Sequence, residues 1–169
     1  MFRRARKPSP RRPDERVTTY RRILVPLAAS HEPDRAIALA CRLAAEHRAS
    51  VTALSVIEVP MMVPMDAYMI EEEAAAKELL ERARAAAHSY EISCSTRIVR
   101  DRNAGEAIVR EAVQHNTEMI ILSARRRPGS SGRTGVFGRT VRFVLAHAPC
   151  RVMVTAPPPV TTRVGVSSA

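Results

Sequence analysis

Short segments rich in Val, Ile and Leu alternate along the chain with stretches whose apolar residues fall three and four positions apart. The short segments are five to nine residues long and are typical of strands buried in a parallel sheet. The stretches between them have the spacing of amphipathic helices. Five strands are predicted, at 22–27, 51–59, 95–100, 119–123 and 151–156.

Four helices are predicted between these strands. The first runs from Asp34 to His47, and the third begins after Asn103, a residue type that caps helices, and ends near Gln114. The fourth is predicted to begin near Val136 or Phe137. The predicted apolar faces are Ala76, Leu79, Leu80, Ala83 and Ala87 in the second helix and Phe137, Val141, Val144, Leu145 and Ala148 in the fourth.

This order predicts an α/β fold, a single doubly wound five-stranded parallel sheet with four helices. In such sheets, ligands bind beyond the carboxyl ends of the strands, where the strand order reverses. The loops that leave strand one, at 28–30, and strand four, from 124 onward, are therefore the candidate binding loops.

The length of 169 residues and the apolar content of 46% fit one globular domain, which we place at 21–157. Residues 1–20 are rich in Arg and Pro and predict a disordered basic tail, and 158–169 predict a flexible C-terminal tail. The sequence has neither a signal-peptide pattern nor an apolar run long enough for a membrane span, so a cytoplasmic location is expected.

The net charge of +10 is concentrated in two segments. Residues 1–22 and residues 123–151 each carry +7, whereas the remainder carries −4. The first segment has few aromatic residues, so we expect no specific nucleic-acid recognition. Weak, salt-sensitive contact with an anionic surface is one interpretation of this tail, and a solubilising role is the other.

No catalytic residue and no metal site are predicted, and the chain is not expected to be an enzyme. The three cysteines lie about fifty residues apart, which is not metal-ligand spacing. Cys41 and Cys150 are expected to be buried and Cys94 to be exposed. His147 is expected to interact with the carbonyl groups at the end of the fourth helix.

The loop at 125–140 combines glycines with arginines. Glycines can turn backbone N–H groups toward an anion, and arginines can donate charge-assisted hydrogen bonds to phosphate oxygens. Two interpretations stay open, a phosphate-binding loop and a solvated cationic turn. The candidate binding residues in this loop are Arg125, Arg127, Gly132, Arg133, Gly135, Gly138, Arg139 and Thr140.

Four stretches resemble the universal stress protein family. They are "RILVPLAAS…DRAIALACRLA", "VTALSVIEVP", "AGEAIVREA…TEMIILS" and "GRTVRFVLAHAPCRVMVTA", and they follow the order and spacing of the family over roughly 20–157. The resemblance implies the adenine nucleotide alpha hydrolase-like fold and a homodimer paired through the last strand, here 151–156. It also implies a non-enzymatic role in stress response, in which many members bind ATP or a related adenine nucleotide.

The nucleotide-binding motifs of the family are altered in this chain. Members that bind ATP carry V-D-G-S after strand one, where this chain has Leu27, Ala28, Ala29 and Ser30. Their G-x2-G-x9-G-[ST] motif aligns with Ser123 at the first glycine and Gly138 at the last, with two extra residues between and Arg139 next. These alignments add Leu27, Ala28, Ser30 and Ser123 to the candidate binding residues. The candidate ligands are therefore ATP, AMP, a cyclic nucleotide or another phosphate compound, and the alternative is a protein-interaction module without a small ligand.

The segment "PMMVPMDAYM" at 60–69 is rich in methionine, and it either covers the edge of the core or forms an adaptable surface for a protein partner. It resembles the corresponding segment of universal stress domains that are fused to bacterial amino-acid transporters. This resemblance implies a membrane transporter as a candidate partner.

Overall fold

Five strands and four helices alternate in the computed structural model, which describes residues 20–28, 34–124 and 137–156. The strands are β1 (Arg22–Leu27), β2 (Ser50–Glu58), β3 (Cys94–Asp101), β4 (Met119–Ser123) and β5 (Arg151–Thr155). The helices are α1 (Asp34–His47), α2 (Ile70–His88), α3 (Ala104–Gln114) and α4 (Arg139–His147).

The sheet has the strand order β3-β2-β1-β4-β5, and every adjacent pair is parallel. The chain builds outward from β1 to β3 and then returns to place β4 on the other side of β1, with Ile23 opposite Met119. The predicted doubly wound α/β fold is therefore confirmed. The reversal of strand order lies between β1 and β4.

The two faces of the sheet carry separate hydrophobic cores. Val25 packs in one cluster with Ile37 of α1 and Leu79 of α2, whereas its neighbour Leu24 packs in the other with residues of α3 and α4. Both β1 residues are almost completely buried. Since side chains alternate along a strand, β1 serves both cores, and burial of each such side chain stabilises the fold by about 1.5–3 kcal/mol.

A polar cluster joins the starts of β1 and β4. The Arg22 guanidinium donates to a carboxylate oxygen of Glu118 at 2.9 Å and to the backbone oxygen of Asn116 at 2.6 Å. The backbone N–H of Arg21 also donates to Glu118, and this hydrogen bond is the main reason that the pKa of Glu118 is lowered. These bonds hold the two central strands together at the amino end of the sheet.

The predicted apolar stripe of α2 and the predicted cap of α3 are confirmed. The five predicted α2 residues are buried, and the side-chain oxygen of Asn103 accepts hydrogen bonds from the N–H groups of Gly105 and Glu106. The start of α4 was predicted two to three residues too early, because Gly138 is still extended. Leu145 is 45% exposed, since the nine-residue α4 buries only Val141 and Val144 at the sheet margin.

The exposure predicted for Cys94 is wrong. This residue opens β3 and belongs to the core beneath α1 and α2, and its burial raises the pKa of its thiol. Cys41 is buried as expected, and burial together with the nearby Cys94 raises its pKa to about 11. Cys150 is only half-buried. Raised pKa values keep these thiols protonated at neutral pH, so they behave as packing residues.

Tyr20, which the sequence places in the basic tail, packs against the domain. Its ring meets His47 edge-on at a centroid distance of 5.5 Å, and the Arg151 guanidinium lies 5.4 Å from the ring centroid. The rest of the predicted tail, 1–19, and the predicted C-terminal tail, 158–169, lie outside the described residues.

The contact between α3 and α4 generates a stability prediction. A Cβ at Gly105 would lie 2.8–2.9 Å from the ring and Cβ of Phe143, which is too close for carbon atoms to approach. Gly105→Ala is expected to lower the free energy of unfolding by roughly 1–2 kcal/mol, because the overlap outweighs the gain in helix propensity. Urea unfolding measures this change, with Val113→Ala as the exposed control on the same helix. A Gly105→Ala protein as stable as the original would contradict the close contact.

Candidate functional site

A cleft of about 490 Å³ opens at the carboxyl ends of β1, β2 and β4. It lies on the sheet face covered by α3 and α4, and the first residues of both helices form part of its wall. This is the position expected for a ligand site, where the strand order reverses. The lining residues are Pro26, Leu27, Ala28, Val56, Glu58, Ala104, Ile108, Leu122, Ser123, Gly138, Arg139, Thr140 and Val141.

The structure brings together half of the binding residues predicted from the sequence. Those that line the cleft are Leu27, Ala28, Ser123, Gly138, Arg139 and Thr140. The others lie outside the described residues, and they are Ser30, Arg125, Arg127, Gly132, Arg133 and Gly135. The six that are described come from the ends of two adjacent strands and the start of α4, which are distant in sequence and meet through the parallel pairing of β1 with β4.

The inner wall of the cleft is apolar. Val56, Leu122 and Ile108 all belong to the core beneath α3 and α4, and they continue that core up to the cleft. Ala28 adds a methyl group to this wall. A concave apolar wall with a few polar groups at its rim is the usual form of a small-ligand site, and it suits a flat aromatic base.

The amino terminus of α4 faces the cleft. The N-cap residue is Gly138, which has extended backbone and no side chain to satisfy the first turn, and the first helical bond runs from Arg142 N–H to the Gly138 carbonyl. The N–H groups of Arg139, Thr140 and Val141 therefore lie in the turn that intrahelical carbonyls cannot serve. In the described part of the chain no side chain caps these N–H groups, and they favour an anion at this end together with the helix dipole.

The amino terminus of α3 has its hydrogen bonds supplied by the chain itself. The Ala104 N–H donates to Oε1 of Glu58 at 3.0 Å, and the next N–H donates to Asn103 Oδ1 at 2.9 Å. The same Glu58 oxygen lies 3.7 Å from Nη2 of Arg139, the first residue of α4. Glu58 thus connects the starts of the two helices that border the cleft.

Sequence reasoning missed Glu58. The predicted second strand contained it as one position among nine, and the local pattern gives no reason to separate a strand residue from a site residue. The parallel strand order could have identified Glu58, because it is the last residue of β2 and therefore lies at the carboxyl edge of the sheet. Its alternation with Leu54 and Val56 then places it on the face of α3 and α4.

Asp101 holds the turn that leads into α3. Its Oδ1 accepts the Asn103 N–H at 3.1 Å, and its Oδ2 lies 2.7 Å from the Arg110 guanidinium. Burial raises the pKa of Asp101, but the hydrogen bonds from Asn103, Arg110 and Arg102 outweigh that effect and leave the pKa below its usual value. The carboxylate is therefore ionised at neutral pH and fixes the start of α3.

His147 lies at the far end of α4 from the cleft. Its Nδ1 lies 2.9 Å from the Phe143 carbonyl oxygen, and its ring stacks on Phe143 at a centroid distance of 4.1 Å. The predicted interaction with the last carbonyls of the helix is confirmed. Within residues 20–28, 34–124 and 137–156, no group of three or more acidic, histidine or cysteine side chains is arranged to hold a metal ion.

The methionine segment, residues 60–69, is a second surface feature at the same end of the sheet. Met61, Met62 and Tyr68 are 80%, 94% and 95% exposed. Arg100 fixes this segment by donating to the backbone oxygens of Met65 and Ala67 at 3.2 and 2.8 Å. Apolar side chains are thus presented to solvent on a backbone that is held in place. No helix in the described part of the chain has the length and apolar character needed to cross a membrane.

The sequence model of the universal stress protein family matches residues 19–156. No curated protein matches the chain in sequence. Among solved structures, the universal stress protein UspA from Lactobacillus plantarum is 26% identical, with a TM-score of 0.64 over 81% of this chain and 98% of that one.

Two further solved structures contain nucleotides. A universal stress protein in complex with cAMP is 17% identical, with a TM-score of 0.64 over 82% of this chain and 98% of its own. A universal stress protein family protein from Arabidopsis thaliana with AMP bound is 18% identical, with a TM-score of 0.60 over 82% and 92% of the two chains. At these identities the likeness is one of fold.

The Asp101 interactions generate a pH prediction. Because the folded-state pKa is lowered, this carboxylate stabilises the fold above the unfolded pKa of about 3.9, and the contribution is lost as the pH falls through the folded value. Asp101→Asn is expected to cost roughly 1–3 kcal/mol at pH 7 and to flatten the loss of stability between about pH 5 and pH 3.

Urea unfolding at several pH values measures this effect. Glu81→Gln, which removes an exposed ion pair with Arg84, is the control and is expected to change stability by less than about 1 kcal/mol. Identical pH profiles for Asp101→Asn and the original protein would show that Asp101 does not support the site in this way.

Proposed function

The chain belongs to the universal stress protein family, and from this premise we propose that it is a non-enzymatic regulator that binds a nucleotide in the cleft. The observation that carries the proposal is the cleft itself. It combines an apolar wall, Ala28 to Val56 and Ile108, with the open start of α4 at Gly138 and Arg139. These are the two features that a nucleotide needs, a surface for the base and donors for the phosphate.

An adenine nucleotide with one phosphate is the ligand that we favour. Relatives of the same fold contain cAMP and AMP, which supports this class. Full ATP binding is disfavoured by the altered motifs, since Ala28 cannot accept a hydrogen bond from a nucleoside and Arg139 stands in place of Ser or Thr. In this proposal the base lies on the apolar wall, and the phosphate lies at the first turn of α4.

We propose binding without turnover. The Ser123 hydroxyl in the cleft lies 3.4 Å from the Thr155 hydroxyl, which in turn donates to the Leu122 carbonyl. A hydroxyl partner does not activate Ser123 as a nucleophile, because activation requires an adjacent base. The response to stress would then come from occupancy of the site.

A cytoplasmic homodimer is the proposed working form. β5 pairs only with β4 in the described sheet, so its outer edge offers unpaired backbone groups. Val152, Met153 and Val154 of this strand are partly buried within one chain. Pairing of strand 151–156 with a second copy would satisfy the edge and cover these side chains.

A protein-interaction module is the second candidate function, and the methionine segment favours it. Met61, Met62 and Tyr68 expose apolar surface on a segment that Arg100 holds in place, which suits an adaptable protein contact. A membrane transporter is the candidate partner, with the basic residues of 1–20 adding a weak contact to the anionic membrane surface.

A thermal-shift series tests the nucleotide function. AMP and cyclic AMP are expected to raise the melting temperature saturably, because a ligand that binds only the folded state stabilises it by mass action. ATP, ADP and cyclic dinucleotides complete the panel, at low and moderate salt. Arg139→Ala is expected to reduce the shift for AMP and to leave the melting temperature without ligand nearly unchanged, since its side chain is 76% exposed.

Inorganic sulfate is the control for non-specific anion binding in this series. An equal shift in melting temperature with sulfate and with AMP would show that the base makes no contribution to binding. No shift with any nucleotide would overturn the nucleotide function and favour the protein-interaction module.

A further inference from the structure

The two helices that border the cleft differ in how their first turns are satisfied. At α3, Glu58 and Asn103 accept the hydrogen bonds of the first three N–H groups, Ala104, Gly105 and Glu106. At α4, the N-cap is a glycine, which has no side chain to accept such bonds. One helix start at the cleft therefore already holds an anion of the chain, whereas the other has no capping side chain among residues 20–28, 34–124 and 137–156.

That anion is the carboxylate of Glu58. It lines the cleft, and its side chain is 46% exposed, so the charge faces the space that a ligand would enter. It also lies 3.7 Å from the Arg139 guanidinium, so it neutralises part of the positive charge at the start of α4. A second phosphate placed beside the first would meet this carboxylate, and like charges at such distances repel.

We propose that Glu58 is a specificity-determining residue that restricts the cleft to ligands with a single phosphate. This inference rests on the proposed nucleotide function and names the residue that sets the charge class of the ligand. Glu58 fills the second anion position, at the start of α3, and shares Arg139 with the incoming phosphate. One phosphate fits the open start of α4, whereas the additional charges of ADP and ATP are repelled by the carboxylate.

A hydroxyl-binding role for Glu58 makes the opposite prediction. If Glu58 accepted a hydrogen bond from the ribose, replacing Glu58 would lower the affinity for adenosine, which has a ribose but no phosphate. If Glu58 acts through its charge, neutralising it leaves the affinity for adenosine unchanged and raises the affinity for ADP and ATP. The two roles are therefore separated by ligands that differ only in the number of phosphates.

The experiment compares Glu58→Gln with the original protein by isothermal titration calorimetry. The ligands are adenosine, AMP, ADP and ATP, in magnesium-free buffer at low and at moderate salt. Glutamine keeps an oxygen that can accept the Ala104 N–H, so the start of α3 is retained, and the unaltered thermal unfolding of the variant verifies this. Glu106→Gln is the matched control, because it removes the same charge from an exposed position at the start of α3, outside the cleft lining.

The original protein is expected to bind AMP at least as tightly as ATP. Glu58→Gln is expected to bind ATP roughly fivefold more tightly and adenosine within about twofold of the original, as expected for one nearby charge in water. The gain for ATP shrinks at higher salt because ions screen the charge. Glu106→Gln is expected to leave all four affinities within about twofold.

Unchanged ATP affinity in Glu58→Gln would overturn the inference. Weaker binding of adenosine by the same variant would indicate the hydroxyl-binding role instead. If neither protein binds any of the four ligands, the proposed nucleotide function fails and the inference fails with it. If the original protein binds AMP but Glu58→Gln gains nothing for ATP, the function stands and only the role of Glu58 is overturned.

Discussion

The parallel pairing of β1 with β4 is the constraint on which the rest of the structure depends. It places Ile23 beside Met119 in the centre of the sheet and sends α1 and α2 to one face and α3 and α4 to the other. The cleft opens where these two strands end, next to the end of β2 and the starts of α3 and α4. The polar cluster of Arg22 and Glu118 secures this pairing at the opposite end of the same strands.

Electrostatics decide what such a cleft can hold. Two helix starts, those of α3 and α4, border the cleft, and each concentrates positive potential there. In this chain Glu58 places a carboxylate at the start of α3, and the same carboxylate lies 3.7 Å from the Arg139 guanidinium at the start of α4. This negative charge opposes the positive potential of the two helix starts, and it is expected to limit the number of phosphate groups that a ligand can bring into the cleft.

Most of the fold could be predicted from the sequence, because continuous apolar strands and helical stripes record burial directly. Val141 and Val144 were correctly placed in the core, but Leu145 was not, since a pattern cannot show how much of a helix the sheet margin covers. Cys94 was misjudged because a residue at the start of a strand has polar neighbours in sequence and apolar neighbours in space. Tyr20 was assigned to a tail because its contacts with His47 and Arg151 are far away along the chain.

Part of the candidate site could also be predicted from the sequence, because the order of the strands determines which loops meet. Parallel strands bring their carboxyl ends together, so topology and the resemblance to the family motifs are sufficient to group Leu27, Ser123 and Gly138. The position of Glu58 at this edge follows from the same topology, but its role does not. The hydrogen bond from Ala104 and the approach to Arg139 depend on side-chain conformation.

The most direct test of the account is a titration of isotope-labelled protein with AMP, followed by the backbone amide resonances. The account predicts saturable shifts that are largest for the amides of Arg139, Thr140 and Val141 and small for those of Ala104 and Gly105, whose N–H groups are already engaged. Shifts confined to the β5 edge or to the methionine segment, with none at the start of α4, would contradict it.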